Sequence, residues 1–137
     1  MNKYFPLVII IFSLLFLQCR EDIVAPGNAA GVINEPVIQK TRNSYTFLIN
    51  AQNFTIDLSD FLSFNNTKVS LLLDIEDYET GTSIVNVLNQ KKDVIFSKVA
   101  SDNINNLYER LDGNVPGSLL FKFENFTGKL RLEIISL

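Results

Sequence analysis

The sequence predicts an all-β protein, an antiparallel β-sandwich of jelly-roll or Ig-like type with about seven to eight strands. Three observations carry this expectation. Apolar residues recur with a period of two from residue 44 onward, the mark of half-buried strands. Turn-forming residues punctuate that pattern at regular intervals, and no long stretch carries a convincing helical period. Eleven Phe and no Trp stand among the 137 residues, which suits an interior whose rings have no polar atom to satisfy.

The elements follow in order. In Tyr45 to Asn50, Phe47 and Ile49 share one face; in Phe54 to Leu58, Phe54, Ile56 and Leu58 do, with Asn50-Ala51-Gln52-Asn53 as the turn between them. Lys68 to Glu76 buries Val69, Leu71, Leu73 and Ile75 and turns Ser70, Asp74 and Glu76 outward. Thr82 to Leu88 and Asp93 to Val99 flank the polar tip Asn89-Gln90-Lys91-Lys92. Leu119, Phe121 and Phe123 alternate with Lys122 and Glu124, and Leu130, Leu132 and Ile134 alternate with Lys129, Arg131 and Glu133. Asn125-Phe126-Thr127-Gly128 is the expected turn between that pair, with Gly128 supplying a positive φ. Ile104, Leu107, Tyr108 and Leu111 fall at helical spacing, but Asn103, Asn105 and Asn106 are poor helix formers, which favours an extended segment over a short helix.

The N-terminus reads differently. Lys3 precedes an apolar run of 14 residues from Tyr4 to Leu17, too short for the roughly 20 that span a bilayer and suited to a secretory signal. The run stops at Leu17-Gln18-Cys19, and Cys19 is the sole cysteine. These residues resemble a bacterial lipoprotein signal, which implies cleavage before Cys19 and acylation of its sulfur; the departure is Gln18, where Gly, Ala or Ser is usual. The expected division is 1–18 signal peptide, 19–43 lipidated Cys19 with a flexible linker, and 44–137 the β-sandwich. Pro26, Gly27, Gly31 and Pro36 break up the linker, and Val37-Ile38 is the pair in it suited to dock as an edge strand. The expected location is the bacterial cell envelope, lipid-anchored to the membrane, facing the periplasm or the surface.

Composition excludes several functions. Removing Lys3 with the signal leaves 11 basic against 15 acidic residues, with no cluster of Lys and Arg for phosphates, so nucleic acid is not an expected partner. Histidine is absent, which removes the commonest general base and transition-metal ligand. No disulfide can form within the chain, so the fold must rest on its core. No catalytic motif is present and no enzyme activity is expected.

Four acids, Asp74, Glu76, Asp77 and Glu79, precede Thr80-Gly81 and are the calcium candidates, although alternation places the first two and last two on different faces. Tyr45, Tyr78 and Tyr108 with the many Asn residues are the carbohydrate candidates. Leu48, Leu72, Leu120 and Ile135 lie opposite the main apolar face of their strands and would form an outer interaction patch if those strands are neighbours. Leu111-Asp112-Gly113, Pro116-Gly117 and the Phe126-Thr127-Gly128 turn resemble the closing part of jelly-roll or Ig-like accessory modules of exported bacterial proteins, including the pre-peptidase C-terminal type. That resemblance implies a binding or spacing element. The expected function is a protein-interaction or structural module at the membrane surface, with a calcium- or carbohydrate-binding module as the alternative. The expected partners are the membrane, through the anchor, and an envelope protein or glycan.

Overall fold

The computed structural model describes residues 32–137. The expected signal and Cys19 lie outside the described residues. Among the described residues every regular element is a strand: β1 Val37–Lys40, β2 Ser44–Phe61, β3 Val69–Asn89, β4 Val94–Ala100, β5 Ile104–Arg110 and β6 Pro116–Ser136. They form one antiparallel sheet of order β1-β2-β6-β3-β4, with β5 also pairing to β3.

Six strands thus stand where seven or eight were expected, because three pairs of expected strands are single long ones. β2 runs through 18 residues, and β3 and β6 through 21 each. The turn residues between the paired halves are present, but they bend each strand without reversing it. Register shifts fall between Ala51 and Ile56 in β2 and between Glu76 and Thr82 in β3. Beside them Asn53 (φ 49°), Asp77 (51°), Gly81 (84°) and Asn125 (49°) adopt left-handed backbone, and Gly128 also has a positive φ. Bulges of this kind bend a strand and sharpen its twist. Lined up across three neighbouring strands, they crease the whole sheet.

Side chains bridge the crease where the regular ladder fails. Thr127 Oγ1 accepts the Asn53 N–H at 2.9 Å, and Thr55 Oγ1 accepts the Asn125 N–H at 2.9 Å. Asn103 Oδ1 accepts the Tyr78 N–H at 2.9 Å, which ties the short link between β4 and β5 to the same line. β4 and β5 therefore flank β3 on either side of the crease, and residues 104–110 are extended, not helical.

The two halves of the creased sheet face each other. Phe47 pairs in register with Leu132 in the first half and Phe121 with Leu58 in the second, yet their rings stack with centroids 4.1 Å apart. At the open end, the Tyr45 hydroxyl donates across the gap to Asp60 at 3.0 Å. Between the halves lie Tyr45, Phe47, Ile49, Leu71, Leu73, Ile75, Leu119, Phe121, Phe123, Phe126, Leu130 and Leu132, all fully buried. Each such side chain stabilises the fold by about 1.5–3 kcal/mol before the entropy of ordering the chain is set against it.

The loops 62–68 and 111–115 cross from one half to the other and close the mouth opposite the crease. Phe64 and Leu111 are buried there. The Gly113 N–H donates to the Thr67 carbonyl at 2.9 Å, which joins the two loops.

The sheet begins inside the segment expected to be linker. β1 pairs with β2 from Val37 opposite Leu48 to Lys40 opposite Tyr45, and Asn34 donates its N–H to the Asn50 carbonyl and exchanges side-chain hydrogen bonds with the Gln52 backbone. Lys40 forms an ion pair with Asp60, so this edge strand also ties the second half of the sheet to the first.

Candidate interaction surface

Directly opposed residues in an antiparallel pair share a face, so the register maps both outer surfaces. On the first half, Asn50, Lys129 and Glu76 form one row, and Val37, Leu48, Arg131 and Asp74 the next. Then come Gln39, Thr46, Glu133, Leu72 and Tyr108, followed by Ser44, Ile135, Ser70 and Arg110. This face carries three bases, Arg110, Lys129 and Arg131, and three acids, Asp74, Glu76 and Glu133, spread over all four rows. Lys129 stands opposite Glu76 and Arg131 opposite Asp74, cross-strand pairings of the favourable sign.

The four calcium candidates are therefore interleaved with bases. Asp77 Oδ2 takes a 2.6 Å ion pair from Lys129, whose ammonium is held above its ordinary pKa by that hydrogen bond and then by the Asp77 charge. Asp74 Oδ1 accepts the Asn106 N–H at 3.1 Å. Glu76, Asp77 and Glu79 are exposed. Among the described residues no three Asp, Glu, His or Cys side chains are grouped to hold a metal ion. The three tyrosines are not gathered either: Tyr45 is in the core, Tyr78 lies on the crease with its hydroxyl on the Gly81 carbonyl at 2.9 Å, and Tyr108 is exposed on β5.

The expected leucine patch is divided. Leu48, Leu72 and Ile135 belong to the first half and Leu120 to the second, so the four do not form one surface. Leu48 is only 4 % exposed, with Val37 of β1 beside it; Leu72 is half-buried opposite Tyr108; Leu120 and Ile135 are 40 % and 45 % exposed. Leu48 lies between Val37 of β1 and Arg131 of β6 in the same row, so the pairing of β1, in the segment that carries Val37-Ile38, flanks that side chain.

Leu120 has other apolar neighbours. Across the second half the register gives the rows Phe61, Ser118, Leu88, Val94; then Ser59, Leu120, Asn86, Ser97; then Asp57, Lys122, Ile84, Val99. Phe61 is 81 % exposed, and Val94 and Val99 are exposed as well. A groove of about 340 Å³ runs over Leu120 between Ser59 and Asn86, with Asp57 and Lys122 at one end. Lys122 pairs with Glu124 at 2.7 Å, and its pKa is raised by that hydrogen bond, then by the Glu124 charge, with a smaller contribution from Asp57. This face carries apolar and uncharged side chains through two of its three rows. It is the more apolar of the two outer faces.

Sequence periodicity missed Phe61, Val94 and Val99. Phe61 follows Asp60, which points inward to Tyr45, so alternation offered no reason to make its neighbour an outer apolar residue. Val94 lies beyond a register shift between Val87 and Leu88, in the continuous apolar run Val94-Ile95-Phe96 whose faces a period of two does not resolve.

No protein-family model matches the chain, and no curated protein matches it by sequence. The functional reading therefore rests on the residues and their geometry.

Proposed function

We propose that the protein is a cell-envelope lipoprotein, acylated at Cys19, whose folded sheet works as a small β-sandwich that docks a protein partner at the membrane surface through the outer face of its second half. The observation that carries this reading is the gathering of the exposed apolar side chains Phe61, Leu120, Val94 and Val99 on one face, with half-buried Leu88 and Ile84 beside the two valines. Exposed apolar residues gathered on one face mark contact sites in soluble domains, where single scattered ones do not. The charged ladder on the other face, where Arg110, Lys129 and Arg131 each have an acidic partner, is the surface left to solvent.

Two results test the reading in the full chain expressed in a bacterial host. Cys19→Ser should move the protein from the membrane fraction to the soluble one; retention on the membrane would overturn the anchor. A photo-crosslinking residue at Leu120 should give a discrete protein adduct, and one at Thr46, on the charged face, should not. Equal adducts from both positions, or none from Leu120, would overturn the docking face.

A further inference from the structure

A cavity of about 300 Å³ opens at the mouth end of the molecule, between the β3–β4 hairpin tip and the loop 111–115. Asn89, Gln90, Lys91, Asp93, Asn114 and Val115 line it. Its volume is at the lower end of the range for small-ligand sites, which suits a single ring. Backbone hydrogen bonds join its walls: the Gln90 N–H donates to the Val115 carbonyl at 3.2 Å and the Lys92 N–H to the Asn89 carbonyl at 3.0 Å. Tip and loop are one frame.

Asn89 fixes the polar groups inside that frame. It is buried, and its Oδ1 accepts the Lys91 and Asp93 N–H groups at 2.9 Å each, which leaves Nδ2 to face Asp93 and Asn114. Nδ2 donates to Asp93 Oδ2 at 3.0 Å and, at 3.5 Å, to Asn114 Oδ1. Since Asn89 presents a donor, Asn114 turns its oxygen towards it and its own Nδ2 away. Among the described residues neither Asn114 Nδ2 nor Asp93 Oδ1 has a protein partner, and the Lys91 ammonium forms no ion pair. Asp93, Asn114 and Lys91 are all exposed.

The cavity therefore holds an acceptor, Asp93 Oδ1, and a donor, Asn114 Nδ2, both positioned through Asn89. A bare anion would meet the Asp93 carboxylate, and a bare cation the Lys91 ammonium. A hydroxyl group meets neither objection, because it donates to a carboxylate and accepts from an amide. Adjacent hydroxyls on one ring serve both groups at once, and half-buried Val115 is an apolar wall for the C–H side of such a ring. We infer that this cavity binds the hydroxyls of a neutral sugar ring, free or at the end of a glycan, through Asp93 and Asn114. The site is separate from the apolar face of the second half and does not depend on the partner assigned to that face.

The test is an NMR titration of the isotope-labelled full chain in a sugar-free detergent with glucose, galactose and N-acetylglucosamine, each also as its methyl glycoside. At least one sugar should move the Lys91, Asp93 and Asn114 signals saturably, with a dissociation constant of about 1–10 mM. Binding that survives the methyl group assigns the ligand to a glycan end, and binding lost with it to the free sugar. Asp93→Asn, whose amide oxygen still accepts from Asn89 while its nitrogen replaces the free carboxylate oxygen, should weaken the binding about tenfold or more, as should Asn114→Ala. Leu120→Ala should leave it unchanged. Saturable shifts from none of the sugars, unchanged affinity in Asp93→Asn and Asn114→Ala, an equal loss in Leu120→Ala, or inorganic phosphate moving these signals where no sugar does would overturn the proposal.

Discussion

Gly81 of β3 lies against the backbone of Asn125 of β6 so closely that a Cβ on Gly81 would run into the Asn125 carbonyl oxygen. Both residues have positive φ and both sit on the crease, where Thr80 Oγ1 also donates to the Asn125 carbonyl at 3.3 Å. The close approach lets two bulged strands stay paired while they bend.

Gly81→Ala is therefore expected to destabilise the protein by about 3 kcal/mol. Left-handed backbone costs a residue with a Cβ roughly 1–2 kcal/mol, and forcing the strands apart adds about 1–3 kcal/mol. Gly113 is the control: its φ of 87° is similar, but nothing lies within 4 Å of an added Cβ, so Gly113→Ala should cost only the backbone term of about 1 kcal/mol. Urea unfolding of the two variants measures the difference. Equal losses would show that the contact with Asn125 contributes nothing.

The crease also explains how far the sequence could be read. Asn50 to Asn53 and Asn125 to Gly128 were recognisable as places where the chain leaves ordinary strand geometry, and both do. Whether such residues reverse a strand or bend it depends on what continues the pairing beyond them. Here β6 remains the neighbour of β2 on both sides of Asn53, and of β3 on both sides of Gly81. That is a long-range fact with no local signal. The inward residues of each half-strand were legible because alternation holds within each half. The outer faces were not, since which outward residues meet depends on strand order, and Leu120 was separated from Leu48 by the same crease.

Tyr45 should make stability fall above pH 10. Burial first, and then the charge of Asp60 and the hydrogen bond to it, hold its phenol well above the ordinary pKa of 10.0. In the unfolded chain the phenol loses its proton as pH passes 10.0, whereas in the folded protein it keeps it. Above that pH the native state binds one proton more, so stability declines by about 1.4 kcal/mol per pH unit. The contribution is fully present below pH 10. Tyr45→Phe should remove this slope and cost about 1 kcal/mol at neutral pH, since Asp60 keeps Lys40 and the Phe61 N–H as partners. A Tyr45→Phe variant with an unchanged alkaline slope would assign the effect to another group.

Leu48 and Leu120 should respond in opposite ways to truncation, although both occupy outward positions of their strands. Leu48 is 4 % exposed between Val37 of β1 and Arg131 of β6, so Leu48→Ala should cost about 2–3 kcal/mol, the lower part of the range for buried leucines. Leu120 is 40 % exposed, and Leu120→Ala should change stability by no more than about 0.5 kcal/mol. Denaturant midpoints of the two variants decide the matter. A loss above about 2 kcal/mol at Leu120 would show that its face is covered within the monomer and is not free for a partner.

Ser83 should be a position where removing a polar group helps. Its side chain is fully buried in β3 between Phe123 of β6 and Ala100 of β4, and its hydroxyl has no hydrogen-bond partner. Asn89, the other buried polar residue of β3, shows the contrast: its Oδ1 accepts the Lys91 and Asp93 N–H groups at 2.9 Å, and its Nδ2 donates to the Asp93 carboxylate at 3.0 Å. Desolvating a hydroxyl without replacing its hydrogen bonds to water costs about 1–3 kcal/mol. Ser83→Ala removes that cost and leaves a void no larger than the hydroxyl, so the variant should be more stable by about 0.5–1 kcal/mol, with a correspondingly higher urea midpoint. Asn89→Ala, which strands two backbone N–H groups of the hairpin, should lose about 2 kcal/mol in the same experiment. A loss of stability at Ser83 comparable to that at Asn89 would mean that the hydroxyl is bonded in solution, and that the second half of the sheet carries a polar link across its core.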